Sequence, residues 1–220
     1  MDKRVVFQGA AIGAGMAFIA VLVMAVAGVS VPGDVQVQPG TVPLPLEAFV
    51  LATNAHTESA LGFFGGDSLF ILSYLMVFVG LYVVTADRAR PLALVGMGAG
   101  VLTAILDATE NAFLITYALG AQNGLPLTDP DLPLIYILTN LKWMAAFATL
   151  YAFGLSFPRR NGLEWGIVVV MLAFPLVGVL GVANTGLIAV RGWFFLVGMP
   201  LFALYFWKWA HDGEAVRDEG

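Results

Sequence analysis

The chain has 220 residues, of which 60% are hydrophobic and only 11% charged, with a net charge of −5. Soluble domains carry about 25% charged residues, so there is too little charge here to coat a water-facing surface, and the mean hydropathy of +0.88 agrees. The acidic balance, with no basic cluster, excludes nucleic acid as a partner, and the absence of cysteine excludes disulfides, thiolate metal sites and cysteine nucleophiles.

Six apolar runs are long enough to cross a bilayer, which takes about 20 residues each. They cover residues 5–29, 68–84, 91–119, 132–157, 163–182 and 191–209. The first follows Met1-Asp2-Lys3-Arg4, as a secretory signal would. It continues to Val29, however, and a signal's apolar stretch is only ~7–15 residues, so it is read as a span. Proline, glycine and charge separate the later runs at 86–91, 128–131 and 157–162. The expected fold is all-α: a polytopic integral membrane bundle of six transmembrane helices. It forms one membrane domain over 1–212, followed by a cytoplasmic tail over 213–220.

Orientation follows from the basic residues, which favour the cytoplasmic side. Lys3, Arg4, Arg88, Arg90, Arg159, Arg160, Lys208 and Arg217 share one side, against Arg191 alone on the other. Both termini are therefore expected in the cytoplasm. Trp165, Trp207 and Trp209 then anchor the inner interface and Trp193 the outer one. The bare loops and lack of a cleavable signal suit a prokaryotic plasma (inner) membrane, with lipid as a constant partner.

The external loop over 31–66 is the longest. Residues 31–45 are rich in proline, glycine and valine and read as extended. Residues 46–64 mix apolar side chains with Glu47, Asn54, His56 and Glu58, a pattern for an interfacial cap helix. The loop has no counterpart in the second half, so an inverted-repeat transporter has little support. Gly9 and Gly13 in the first run and Gly96 and Gly100 in the third have small-residue spacing that lets backbones approach. They are expected to pack on each other. Pro175 and Pro200 fall mid-run, where each removes a backbone donor.

The polar residues inside the runs carry the functional reading. Charge within a span is rare and normally faces protein or water. The third run places Thr103, Asp107, Glu110, Asn111 and Tyr117 on one helical face. The fourth places Thr139, Lys142, Trp143, Ala146 and Thr149 on one face, with Asn140 pointing elsewhere. Glu110 lies ten residues before Gly120 and Lys142 ten after Leu132, so both sit about 15 Å below the outer boundary. A Glu110–Lys142 ion pair is expected. Two acids against one base leave a net −1 in the core if all ionise. Either one acid holds a proton near neutral pH or a cationic ligand group supplies the charge. Arg191 lies too near the outer surface to be an obvious partner.

The expected ligand- or proton-binding set is Asp107, Glu110, Asn111, Lys142, Thr139, Thr103 and Trp143. His56, Glu58 and Asp67 form a secondary outer-side candidate. His56 and His211 fall on opposite sides, and no HxxH or HxxxH pair exists, so no metal is expected. No Walker A, dinucleotide or GxSxG motif is present, so neither a cofactor nor a catalytic residue is assigned. Three readings follow. The first is a small proton-linked transporter or small-molecule-binding membrane protein. The second is an accessory subunit of a membrane complex, with a protein partner or a second copy, in which the cluster is structural. The third is a lipid-modifying enzyme using Asp107 and Glu110 as an acid–base pair.

Overall fold

The computed structural model describes residues 2–29, 47–128, 132–184, 187 and 190–215. The extended stretch expected over 31–45, residues 129–131 and the end of the tail lie outside the described residues. Among the described residues six helices follow one another: α1 (Lys3–Val29), α2 (Glu47–Ala55), α3 (Thr57–Gln122), α4 (Leu132–Ser156), α5 (Gly162–Ala183) and α6 (Val190–Ala215). No strand occurs among the described residues. Five helices, all but α2, are long and apolar enough to cross a membrane. A helix satisfies its own backbone hydrogen bonds, which lipid cannot do.

Helix α3 has 66 residues. Straight, it would reach about 100 Å, roughly three times the hydrocarbon thickness. It is not straight. Ala89 leaves helical geometry at φ −150°, ψ 71°, and Pro91 just beyond it lacks a backbone donor. The break creates two arms, 57–88 and 90–122. They fold back on each other as an antiparallel hairpin. Tyr74 hydrogen-bonds Asp107 and Asn111 hydrogen-bonds Ser68, while Gly100 packs on the Phe78 ring. Each pair is centred close to Ala89. The first arm begins at Thr57, well before the apolar run at Ser68, because Ala60 and Phe64 already supply a buried face.

Contacts gather four chain segments at one end of the bundle. Lys3 at the start of α1 pairs with Asp87 beside the break, at 2.7 Å. Phe7 of α1 packs on Trp209 of α6, and Arg160 between α4 and α5 stacks on the same indole. Asn161 caps α5 by accepting the Glu164 N–H at 3.0 Å, and the Glu164 carboxylate accepts the Arg160 N–H at 2.5 Å. At the other end, Asn54 of α2 pairs with both backbone groups of Leu127, at 2.8 and 3.2 Å. Beneath it lies a small apolar cluster that includes Phe64, Leu114 and Ile135. The larger core runs along α1, the first arm of α3, α5 and α6, joined by Ala104 of the second arm and Phe153 of α4.

The glycine expectation is corrected. Gly9 and Gly13 of α1 face Met76 and the Ser73 carbonyl of the first arm. Gly100 receives Phe78 and Gly96 receives Phe153. The two pairs therefore do not meet: Gly9, Gly13 and Gly100 each make room for the first arm of α3, and Gly96 makes room for α4.

Candidate functional site

Asp107 and Glu110 are three residues apart on the second arm of α3, so both face α4. Lys142 of α4 lies between them. Its ammonium is 2.7 Å from Asp107 Oδ1 and also pairs with Glu110 Oε2. The remaining carboxylate oxygens have hydroxyl donors. Tyr74 donates to Asp107 Oδ2 at 3.0 Å, and Thr139 donates to Glu110 Oε1. Exposure is 4% for Asp107, 1% for Glu110 and 5% for Lys142. Desolvating such ions costs several kcal/mol each, so a partner for every oxygen is what makes the burial tolerable. The expected Glu110–Lys142 ion pair is present, and Asp107 shares its lysine.

The other expected residues divide. Asn111 is buried and donates to Ser68 Oγ at 3.3 Å, tying the two arms together. Thr103 donates to the Ala99 carbonyl of its own helix and so stays outside the lysine network. Trp143 receives the Arg191 guanidinium over its ring at 4.1 Å and lies 5.8 Å from the Lys142 ammonium. Its indole N–H is buried and has no acceptor among the described residues.

A cavity of about 390 Å³ opens beside this network, lined from all five long helices. Its polar wall is Asp67, Tyr74, Thr103, Asp107, Lys142 and Arg191, and most of the remainder is aromatic or aliphatic. Glu110, Asn111 and Thr139 are not among its lining residues. They stand behind the wall, where Glu110 pairs with Lys142 and the Asn111 side chain hydrogen-bonds Asp67.

Three residues of the wall have roles beyond those read from the sequence. Asp67 belonged to the outer-side candidate, yet it is 7% exposed and lines the cavity between Phe63 and Phe70. Its electrostatic neighbours are Asp107, Lys142 and Glu110. It has no ion-pair partner within 4.0 Å among the described residues. His56 and Glu58 lie at the start of α3, with Glu58 exposed. Asp67 is nine residues beyond Glu58, about 13 Å along the axis, so the three do not form a set. No group of three metal-binding side chains converges among the described residues. Arg191, set aside as too shallow, is 7% exposed and reaches Trp143 through its long side chain. Tyr74 was not singled out in the sequence. Its signal was its place seven residues after Asp67, on the same helical face.

Fold and site define an all-helical protein with several membrane-length helices around a charged internal cavity. No protein-family model matches the chain, and no curated protein or solved structure matches it.

Proposed function

We propose that the chain is a six-crossing integral membrane protein of the plasma (inner) membrane that binds a small molecule in its central cavity in a proton-linked manner, as a small transporter does. The cavity carries this reading. About 390 Å³ of mostly apolar space, with Asp67, Asp107, Lys142 and Arg191 on its wall, has the size and make-up of a small-ligand site. The six crossings rest on the two arms of α3, each longer than the about 20 residues a span needs. The cytoplasmic placement of both termini rests on the basic residues near the end where Lys3, Asp87 and Arg160 gather.

The test is thermal unfolding of the purified protein in detergent at pH 5 and 8, with a panel of small organic cations, monocarboxylates and zwitterions. At least one class raises Tm, by an amount that differs between the two pH values. Ala146→Phe, which fills the cavity from α4, folds but loses the shift. If no compound moves the wild-type Tm, and mild detergent recovers the protein with a stoichiometric membrane partner, the accessory-subunit reading replaces this one. One observation favours that second reading for part of the network. Glu110 is sealed away from the cavity, and its contacts to Lys142 and Thr139 join α3 to α4.

A further inference from the structure

Charge around the cavity is unbalanced in one direction. Lys142 stands between Asp107 and Glu110, which leaves that triad at −1 when all three ionise. Among the described residues that line the cavity, Asp67 adds a further −1 and Arg191 returns +1. A net −1 in a desolvated interior is costly, and a single proton or a single monovalent cation removes it. Asp67 is where either would sit. It lines the cavity, is more than nine-tenths buried, and is the wall carboxylate without a lysine or arginine in ion-pair range among the described residues.

The surroundings of Asp67 suit an organic cation. Phe63, Phe70 and Tyr74 lie four residues before, three after and seven after it, on the same helical face. All three line the cavity, and aromatic faces attract ammonium groups. The titratable and charged groups facing Asp67 are Tyr74 on its own arm, Asp107 and Glu110 on the second arm, Lys142 on α4 and Arg191 on α6. The cavity walls supplied by α1 and α5, such as Met24 and Phe174, carry no ionisable group. An anionic ligand would deepen the imbalance rather than relieve it.

We propose that Asp67 is the exchange site of this cavity, holding a proton when the cavity is empty and the ammonium group of a small hydrophobic organic monocation when it is filled. The proposal rests on the cavity-binding reading above. No bond other than O–H is broken: the Asp67 proton leaves to water as the cation arrives, so the two occupants exclude each other. Mutual exclusion at one carboxylate, together with access from each side of the membrane in turn, would couple a cation to a proton moving the opposite way.

The experiment is isothermal titration calorimetry of the full chain in detergent, with benzyltrimethylammonium as probe and 3-phenylpropionate as an anion of similar size. Running each in buffers of different ionisation enthalpy counts the protons released. The wild type is expected to bind the cation with release of about one proton. Affinity is expected to rise by up to about tenfold per pH unit where Asp67 is still protonated. Asp67→Asn is expected to lose at least about tenfold in affinity, which is 1.4 kcal/mol or more, together with the proton release. Cation binding without proton release overturns the proposal, as does wild-type affinity in Asp67→Asn. If that variant does not fold, the wild-type proton count alone decides. Binding of 3-phenylpropionate only overturns the cation assignment and leaves the cavity reading standing. Binding of neither probe overturns this proposal, and the thermal-shift panel then decides the cavity reading separately.

Discussion

Lys142 Nζ lies 2.7 Å from Asp107 Oδ1 across the contact between α4 and the second arm of α3, with both side chains 6% exposed. The same ammonium pairs with Glu110. One cation therefore serves two carboxylates, and the consequences of removing it differ from those of removing either acid.

Lys142→Met leaves two buried carboxylates without their cation. Loss of one partner from a buried ion pair costs about 3–5 kcal/mol, so the variant is expected to melt far below wild type at neutral pH. Neutralising the acids as well, in Asp107→Asn/Glu110→Gln/Lys142→Met, is expected to restore most of the loss. Thermal unfolding in detergent at neutral pH checks both statements. A Lys142→Met variant as stable as wild type contradicts them.

Glu110→Gln has a milder expectation. Asp107 keeps Lys142, the triad becomes neutral instead of −1, and the amide can still meet the Thr139 hydroxyl. The change in stability is expected to stay within about 1.5 kcal/mol, the net worth of a hydrogen bond. Glu110 is not on the cavity wall, so ligand-induced shifts in Tm are expected to persist. Loss of those shifts in a fully folded Glu110→Gln protein would place Glu110 in ligand binding instead of bracing.

These contrasts show where the sequence was informative. Hydropathy marked the membrane-length helices, and matching depth on two antiparallel runs was enough to pair Glu110 with Lys142. It could not place Asp67, because an apolar run is counted from where polarity ends. The first arm begins at Thr57, with a buried face that polar and glycine residues dilute. Arg191 starts near the outer boundary, but its long side chain carries the charge inward to lie over Trp143, which backbone depth alone does not show. The cavity itself had no sequence signal, since it arises from the joint arrangement of five helices. The glycine spacing correctly marked close approach but said nothing about which helix approaches.

The glycines of α1 give a sharp packing test. A Cβ at Gly13 would lie 2.8 Å from the Ser73 carbonyl oxygen and 2.7 Å from the Met76 Cβ, whereas one at Gly15 meets nothing within 4 Å. Backbone cannot swing aside as a long side chain can. Gly13→Ala is therefore expected to cost about 1–3 kcal/mol through overpacking. Gly15→Ala is expected to be neutral or to gain up to about 1 kcal/mol from helix propensity. Melting curves for the two variants decide it. Equal Tm values would mean that α1 does not pack on the first arm in this register.

The hairpin in α3 can be tested in intact cells because the chain has no cysteine of its own. Leu125 is 74% exposed after the second arm, Glu58 is exposed at the start of the first, and Arg88 is exposed beside the break. If each arm crosses the membrane, Glu58 and Leu125 share one side and Arg88 lies on the other. In the orientation proposed above from the basic residues, Arg88 lies in the cytoplasm. A membrane-impermeant maleimide is then expected to label Glu58→Cys and Leu125→Cys in whole cells, and Arg88→Cys only after permeabilisation. Labelling of Arg88→Cys alone from outside would invert the orientation but keep the two crossings. Labelling of all three from the same side would mean that the arms of α3 do not span the bilayer, and the six-crossing assignment would fall.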